Sequence, residues 1–444
     1  MGTGIGHYIP LLAYLGFWVM CLVSLTGRPL FGLYYMMPFL PYRTLRDHFL
    51  DYPLGGNVVT VLVIAVIVGA LIHGKRLPKS KLYIIWLFFG IYLYLSMWLG
   101  TALGNGPPPL WITDLNFATW KDYMLIPLIF LATCMVVEDR KAVRTVILLT
   151  AISLLFIDRS FLMETLSRSW STFDENKRSS GPLGYGSNQT AAFLAQFAMF
   201  FWGLVQFLKR RKAKLLSYGL IAITLFATMY TFSRGAYLAV LVSTFILGLL
   251  KDRKLLVLVG VFLLTWQTVV PAAVSERVNM TQDANGQLEA SAQERVSLWE
   301  DAKTAIASDP IFGIGYATYQ LTEHVDGLRD THNWYVKVLV ETGAIGFLIA
   351  LVLLQQLLVL PYRLFRRAED PLYRGLGLGL FLAVCSCLIA NCFGDRWTYL
   401  EINGLLWVLA GAAVRASDLM KSEAPAGLLD VNSFATNLPY AAYR

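Results

Sequence analysis

Charged residues are scarce in this chain of 444 residues. Asp, Glu, Lys and Arg make up 15% of it, whereas hydrophobic residues make up 56%. Soluble globular domains carry charge on about a quarter of their residues, so this composition excludes that class. Apolar stretches of about 20 residues recur along the chain, and that is the length a helix needs to cross a bilayer. The sequence therefore predicts an all-α polytopic membrane protein.

Cysteine and histidine are also scarce, with five of each. The cysteines all lie in apolar segments, which argues against a disulfide framework and against a thiolate metal site. The histidines are scattered and form no HxxxH or HExxH pattern. We therefore expect no metal ion and no other cofactor. The first 25 residues lack a basic region and a small-residue cleavage site, so we expect no removable signal peptide.

The net charge of +8 comes from short basic clusters that separate apolar runs. Such clusters are typical of cytoplasmic loops and do not imply a nucleic-acid partner. The pattern predicts about 12 transmembrane helices with both chain ends inside. The predicted spans are 57–73, 82–99, 120–137, 144–160, 189–208, 215–232, 235–250, 254–271, 334–360, 375–392 and 399–415. Segment 8–41, interrupted at Gly27-Arg28-Pro29, is either one span with a short interfacial or re-entrant piece, which we favour, or two spans.

Three polar segments fall on the other side, at about residues 100–119, 161–188 and 272–333. The last holds ten acidic and four basic residues, a net charge of −6. The chain then divides into N-terminal transmembrane helices (1–271), a large outer loop (272–333), and C-terminal transmembrane helices with a short cytoplasmic tail (334–444). Residues 290–308 in the loop have helical periodicity, with Val296, Trp299, Ala302 and Ile306 on one stripe, and Asp309-Pro310 is expected to end that helix.

Arg234 is an isolated charge between two apolar runs, on the predicted outer side. A charge at membrane depth costs several kcal/mol and needs a partner or a function. Arginine binds phosphate oxygens through two parallel hydrogen bonds and keeps its charge. An interfacial arginine that reaches lipid phosphate is the alternative. Arg295 would by itself be read as a solvated residue, but basic groups are rare in this acidic loop.

The glycine-rich segment Lys177–Asn188 precedes a predicted membrane helix. Ser187 or Asn188 could cap that helix, whose amino-terminal end would then offer backbone N–H groups to an anion. Arg178 would add a second phosphate contact. A simple exposed turn is the alternative.

His332 stands where the polar loop meets the next apolar run. Its imidazole could be a general base for an attacking hydroxyl, a hydrogen-bond donor to phosphate, or an ordinary residue at a helix start. The neighbouring Asn333 favours a functional role. Asp395 and Arg396 stand at another outer helix end and are candidates to line the same cavity.

Three stretches resemble the bacterial O-antigen ligase and polymerase superfamily. They are Ser233-Arg234-Gly235, the run from Arg295-x3-Trp299 to Pro310-Ile311-Phe312-Gly313-Ile314-Gly315-Tyr316, and His332-Asn333-x7-Glu341-x-Gly343-x2-Gly346. One large outer loop late in a many-spanning chain also matches that superfamily. The specific motifs cover about residues 178–346, and the N-terminal third is similar only in hydropathy.

The resemblance implies a glycosyltransferase of the bacterial inner membrane, with its active site facing the periplasm. An O-antigen ligase transfers O-antigen from undecaprenyl pyrophosphate to the lipid A–core oligosaccharide, and the family is regarded as independent of divalent metal. Carried onto this chain, Arg234 and Arg295 hold the pyrophosphate and His332 is the base. Direct displacement by the acceptor hydroxyl would invert the anomeric centre. Arg178, Asn188, Asn333, Asp395 and Arg396 are the further substrate-binding candidates. The expected partners are the two lipid-linked glycans and membrane lipid.

Three alternatives stay open. O-antigen polymerases are described with an Arg-x10-Gly pattern in two outer loops. No outer arginine of the following set has a glycine eleven residues further on: Arg159, Arg168, Arg178, Arg277, Arg295 and Arg329. Protein O-oligosaccharyltransferases usually carry extra outer sequence near the C-terminus, and little follows residue 398 here. A lipid-linked sugar transporter would place its charges along the membrane midplane, whereas Arg234, His332 and Asp395 are predicted at the outer helix ends.

Overall fold

The computed structural model describes residues 8–103, 108–110, 114–167, 173–175, 178–280, 290–319 and 331–423. These residues form α-helices and short 3-10 turns, with no strand among them. The α-helices are α1 (Ile9–Leu25), α2 (Pro29–Met36), α3 (Arg43–Arg46), α4 (Val58–Ile72), α5 (Lys81–Leu103), α6 (Leu115–Val136), α7 (Arg140–Leu166), α8 (Ser187–Val205), α9 (Arg211–Met229), α10 (Arg234–Leu250), α11 (Lys254–Val269), α12 (Ala272–Asn279), α13 (Ala290–Ser308), α14 (Trp334–Arg367), α15 (Pro371–Ala390) and α16 (Leu400–Glu423). The predicted tail from residue 424, and parts of the predicted outer segments, lie outside the described residues.

Seven helices in the described part of the chain are long and apolar enough to cross a membrane. An eighth span results if α11 and α12, which meet at 108°, form one broken span. The apolar helices α1 and α10 are shorter, with 17 residues each. The chain is thus an all-helical, polytopic membrane protein over its described residues, while the count of about 12 spans stays a prediction.

The amino-terminal segment breaks where the sequence predicts. Helix α1 ends at Leu25, Gly27 has a φ of 103°, and α2 begins at Pro29. Proline suits the first turn of a helix because its missing N–H would have no partner within the helix there. Helix α2 has eight residues and is therefore about 12 Å long, too short to cross a bilayer by itself. This geometry favours the interpretation of segment 8–41 as one span followed by a short interfacial or re-entrant piece.

Several connecting segments contact one another at one end of the bundle. Lys75 pairs with Glu138, and Arg140 Nε lies 2.6 Å from Asp370 Oδ2. Arg415 Nε donates to the backbone oxygen of Val137 over 2.7 Å. Helix α15 starts beside this cluster and spans 20 residues, so its last residue lies about 30 Å away. The elements that surround the end of α15 therefore lie at the opposite end of the bundle.

Helices α8 and α15 form the centre of the bundle, and small residues let them approach closely. A Cβ atom placed on Gly203 of α8 would lie 2.7 Å from the Cα atom of Gly379 in α15. Most residues of both helices are buried. Close backbone contact replaces the hydrophobic effect as the main source of attraction between helices in lipid. This pair is therefore a rigid support for whatever lies at its end.

Helix α14 is discontinuous at Gly343, where φ is 61° and ψ is −169°. The segment Pro310–Tyr316 inserts at this break. Ile314 and Gly315 donate their N–H groups to the oxygens of Val340 and Glu341, over 3.0 and 2.9 Å. Across the break, Ala344 N donates to Pro310 O over 2.9 Å. Backbone groups freed at membrane depth must find partners within the protein, and this segment provides them.

This arrangement assigns a structural role to two of the motifs that carry the family resemblance. The glycines of Pro310–Tyr316 allow close approach, since Gly315 packs directly against Gly100 of α5. Ser96 of α5 donates to Glu341 O and accepts from Tyr316 N, both over 3.1 Å. The run Pro310–Tyr316 and the part of the other motif around Glu341 and Gly343 therefore join the end of α13 to the bundle.

We expect Gly343→Ala to destabilise the protein by roughly 2–4 kcal/mol. Alanine resists the positive φ, and its Cβ atom would overlap the backbone oxygen of Ile311. The loss should appear as a lower midpoint of thermal unfolding for the detergent-solubilised protein. The matched control is Gly260→Ala in α11, where an added Cβ meets nothing within 4 Å. Equal unfolding midpoints for the two variants would contradict the inserted-segment architecture.

Helix α13 has the predicted bounds and stops before Asp309-Pro310, and the residues of its predicted stripe differ in burial. Leu298 and Ala302 are buried against Tyr319 and Val340, whereas Val296 is 44% exposed and Trp299 37% exposed. The helix packs against α14 through the face that begins at Leu298. The predicted stripe of Val296, Trp299, Ala302 and Ile306 therefore coincides only in part with the face that meets α14. Periodicity groups apolar residues on one face of a helix but does not show what each of them contacts.

Candidate functional site: a cavity lined by arginines

A cavity of about 360 Å³ opens beside the starts of α8 and α10 and the end of α15. Among the described residues, its charged lining consists of five arginines and one carboxylate, namely Arg178, Arg234, Arg277, Arg295, Arg396 and Glu175. We call it the arginine cavity. Its remaining lining is mostly apolar and includes Ala192, Ala236, Leu238 and Ala390. Such a strong excess of positive charge in a concave site attracts an anion.

Arg234 is the first residue of α10 and lines the arginine cavity. Its Nη1 atom donates to the backbone oxygen of Met280 over 2.8 Å. The preceding turn places Phe232 at a φ of 55° and Ser233 in an extended conformation, and Ser233 makes no side-chain cap. The first N–H groups of a helix have no acceptor within it, and its dipole is positive there. A bound phosphate would therefore meet the helix end and the guanidinium together.

Gly235 lets this helix start come close to the end of α15. A Cβ atom at this position would lie 2.9 Å from the ring of Phe393, which also lines the cavity. The Ser-Arg-Gly motif thus has a physical basis. Its arginine faces the cavity, and its glycine allows the helix start to sit against a neighbouring aromatic ring.

Arg178 is held by three groups at once. Its Nη2 donates to Asn188 Oδ1 over 2.8 Å, and its Nε donates to Thr231 O over 3.1 Å. Its Nη1 donates to Glu175 Oε1 over 2.8 Å. Burial lowers the pKa of Arg178 by removing water from the charged form, and Glu175 opposes that shift. Asn188 thus orients an arginine and does not cap its helix, because α8 begins at Ser187 after Gly186.

Asp395 does not line the cavity and instead organises the turn that carries Arg396. Its Oδ2 lies 3.1 Å from Lys337 Nζ and accepts from the Thr398 hydroxyl over 2.6 Å. Burial raises the pKa of Asp395, but Lys337 and the bonds from Thr398 outweigh it and hold the pKa below the ordinary value. Arg396 follows and lines the cavity, with Nη1 donating to the backbone oxygen of Asp395 over 3.1 Å.

Arg295 lines the cavity from α13, and a bond one turn further along joins this helix to the His332 region. Trp299 Nε1 donates to Thr331 O over 2.9 Å. His332 follows with a φ of 51°, a left-handed conformation for a residue other than glycine. Asn333 caps α14 by accepting from Tyr335 N over 3.0 Å. His332 and Asn333 are not among the described residues that line the arginine cavity, and the Trp299–Thr331 bond links only the segment before His332 to the helix that carries Arg295.

Sequence reasoning did not select Glu175 and Arg277. Arg277 lies in α12, its guanidinium stacks 4.7 Å from the ring centre of Phe173, and its Nη2 lies 3.5 Å from Glu175 Oε2. Arg277 could have been selected from the sequence, because basic residues are rare in the acidic segment 272–333. The same reasoning favoured Arg295. Nothing local pointed to Glu175. Among the described residues, no three or more His, Cys, Asp or Glu side chains are grouped to hold a metal ion.

These features define a class: a polytopic, all-helical membrane protein with an arginine-lined cavity at one end of its bundle. The family model described as O-antigen ligase (Wzy_C) matches residues 219–351, and this confirms the resemblance to the O-antigen ligase superfamily. The matched range contains Arg234, Arg277, Arg295 and His332 but not Arg178 or Arg396. No curated protein sequence matches the chain significantly.

Proposed function

We propose that the protein is an O-antigen ligase that transfers O-antigen polysaccharide from undecaprenyl pyrophosphate to the lipid A–core oligosaccharide. The observation that carries this proposal is the convergence of five guanidinium groups and one helix start on a single cavity. Guanidinium groups bind phosphate oxygens through paired hydrogen bonds. The match to the O-antigen ligase family supports the same reaction. The site would face the periplasm of a bacterial inner membrane.

The proposed reaction is a direct displacement at the anomeric carbon of the donor sugar. The acceptor hydroxyl oxygen forms a bond to that carbon, and the bond from the carbon to the pyrophosphate oxygen breaks. The electron pair of the broken bond leaves with the pyrophosphate, where Arg234 and Arg295 stabilise the developing charge. His332 takes the proton of the acceptor hydroxyl. Attack from the face opposite the leaving group inverts the anomeric centre.

The lining also suits a donor with a lipid tail. Leu238 lines the cavity from α10 and is 41% exposed. Ala192 and Ala236 add small apolar surface beside the arginines. At a membrane interface, a lipid pyrophosphate requires positive groups for its head group and exposed apolar side chains beside them for its lipid tail. A transporter would instead need charged groups along the membrane midplane.

Deletion of the gene tests the proposed function. We expect polymer to disappear from lipid A–core and to accumulate on its carrier lipid, because only the final transfer is removed. Electrophoresis of lipopolysaccharide and mass spectrometry of extracted carrier lipid would measure the two pools. Re-expression of the intact chain should restore the polymer. Lipid A–core capped with single repeat units would instead identify a polymerase, and unchanged lipopolysaccharide would contradict both functions.

A further inference from the structure

Glu175 supplies the only carboxylate in the charged lining of the arginine cavity within the described chain. Its Oε1 accepts from Arg178 Nη1 over 2.8 Å, and its Oε2 lies 3.5 Å from Arg277 Nη2. Each oxygen therefore faces a different guanidinium. This is the contact pattern that an oxyanion group of a phosphate makes between two arginines.

The exposure of the three side chains is unequal. The side chains of Arg178 and Arg277 are each 6% exposed, whereas that of Glu175 is 55% exposed. Two neighbouring buried guanidinium groups repel each other and are costly without a counter-ion. The glutamate can regain water by moving outward, whereas the arginines cannot. The carboxylate is therefore the member of this group that another anion can replace.

Arg178 and Arg277 both have contacts with residues other than Glu175. Arg178 is still bonded to Asn188 and to the backbone oxygen of Thr231. Arg277 still stacks on Phe173, whose ring packs against Phe232 at 5.3 Å between centroids. Removal of the carboxylate would therefore leave both guanidinium groups in place but without its negative charge.

We propose that Glu175 is a resident counter-ion that occupies part of the anion site, and that the pyrophosphate of the donor displaces it from Arg178 and Arg277. This inference rests on the proposed function, since it takes the arginine cavity as the pyrophosphate site. It adds Arg277 to the groups that contact the donor. Competition from a tethered carboxylate also weakens the hold on the pyrophosphate product and favours its release.

The test is the binding of inorganic pyrophosphate to the purified full-length protein, measured by calorimetry. We expect Glu175→Gln to bind about tenfold more tightly than the unchanged protein, because a nearby negative charge is lost while the side chain keeps its size. The matched control is Glu300→Gln, which removes the same charge from an exposed position of α13 outside the cavity lining. That variant should bind like the unchanged protein.

A glutamate that only positions the arginines predicts the opposite sign, so weaker or unchanged binding in Glu175→Gln would overturn the inference. Absence of pyrophosphate binding in the unchanged protein would overturn the proposed anion site itself. A second measurement uses Arg277→Ala in both backgrounds. We expect this substitution to weaken binding severalfold more when residue 175 is glutamine, since the Glu175 carboxylate then no longer competes with pyrophosphate for Arg277. Equal losses in the two backgrounds would also overturn the displacement.

Discussion

Replacement of Arg234 by alanine should reduce glycan transfer by about 10²–10³-fold, because a fixed charge next to the leaving group is lost. Arg234 stands at the start of α10 and faces the arginine cavity. Its guanidinium and the helix end act on the same region, so the pyrophosphate would lose one of two adjacent positive groups. Polymer on lipid A–core after complementation of a deletion strain, and transfer by purified protein, would measure the loss.

The matched control for Arg234→Ala is Arg366→Ala. Arg366 is exposed in the last turn of α14 and is absent from the cavity lining. The Arg366→Ala substitution removes the same charge from the protein, and we expect near-normal glycan transfer by this variant. Arg234→Lys should recover only part of the activity, because an ammonium group lacks the planar pair of donors that guanidinium offers to phosphate. Full activity of Arg234→Ala at normal protein abundance would rule out a role for this residue in the reaction.

The second large effect is expected from replacing His332. The backbone conformation at this position determines which substitution tests its role. With a φ of 51°, an alanine there would add conformational strain to the loss of the imidazole. Asparagine tolerates the left-handed region well and keeps a hydrogen-bond donor, but it cannot serve as a base. We expect His332→Asn to lower kcat about 10²–10⁴-fold, with the KM for donor changed less than about twofold.

This split between kcat and KM separates the possible roles of His332. If His332 only donates a hydrogen bond to phosphate, His332→Asn should interact more weakly with the glycan donor and should keep part of the activity. One that only starts helix α14 predicts little kinetic change, because Asn333 supplies the cap. Steady-state kinetics with purified donor and acceptor distinguishes these cases. An unchanged kcat in His332→Asn would remove the proposed base from the mechanism.

Predictions from local sequence agree best with the structure where one residue carries a strong constraint. The isolated arginine at 234 was selected because charge is costly next to apolar runs, and it lines the cavity with Arg178, Arg295 and Arg396. The break at Gly27-Arg28-Pro29 followed from proline geometry. The stop of α13 before Asp309-Pro310 followed from the same rule.

Predictions were weaker where a residue's role depends on a distant partner. Asp395 was a candidate to line the cavity, but it is not in the lining and the structure pairs it with Lys337, 58 positions earlier. Arg277 and Glu175 join the cavity because α12 folds back toward the segment 173–175. No periodicity within either segment encodes that contact. Which residues of α13 are buried depends likewise on partners in other segments, Tyr319 and Val340.

Composition and hydropathy alone determined that this chain is helical and embedded in a membrane, because the cost of exposing backbone and charge to lipid acts on every residue locally. They also determined that a few isolated polar groups required an explanation. Only the tertiary structure decided which guanidinium groups share a cavity, which carboxylate lies between them, and that Pro310–Tyr316 completes the broken helix α14. Those outcomes depend on contacts between residues far apart in sequence, and packing geometry sets them.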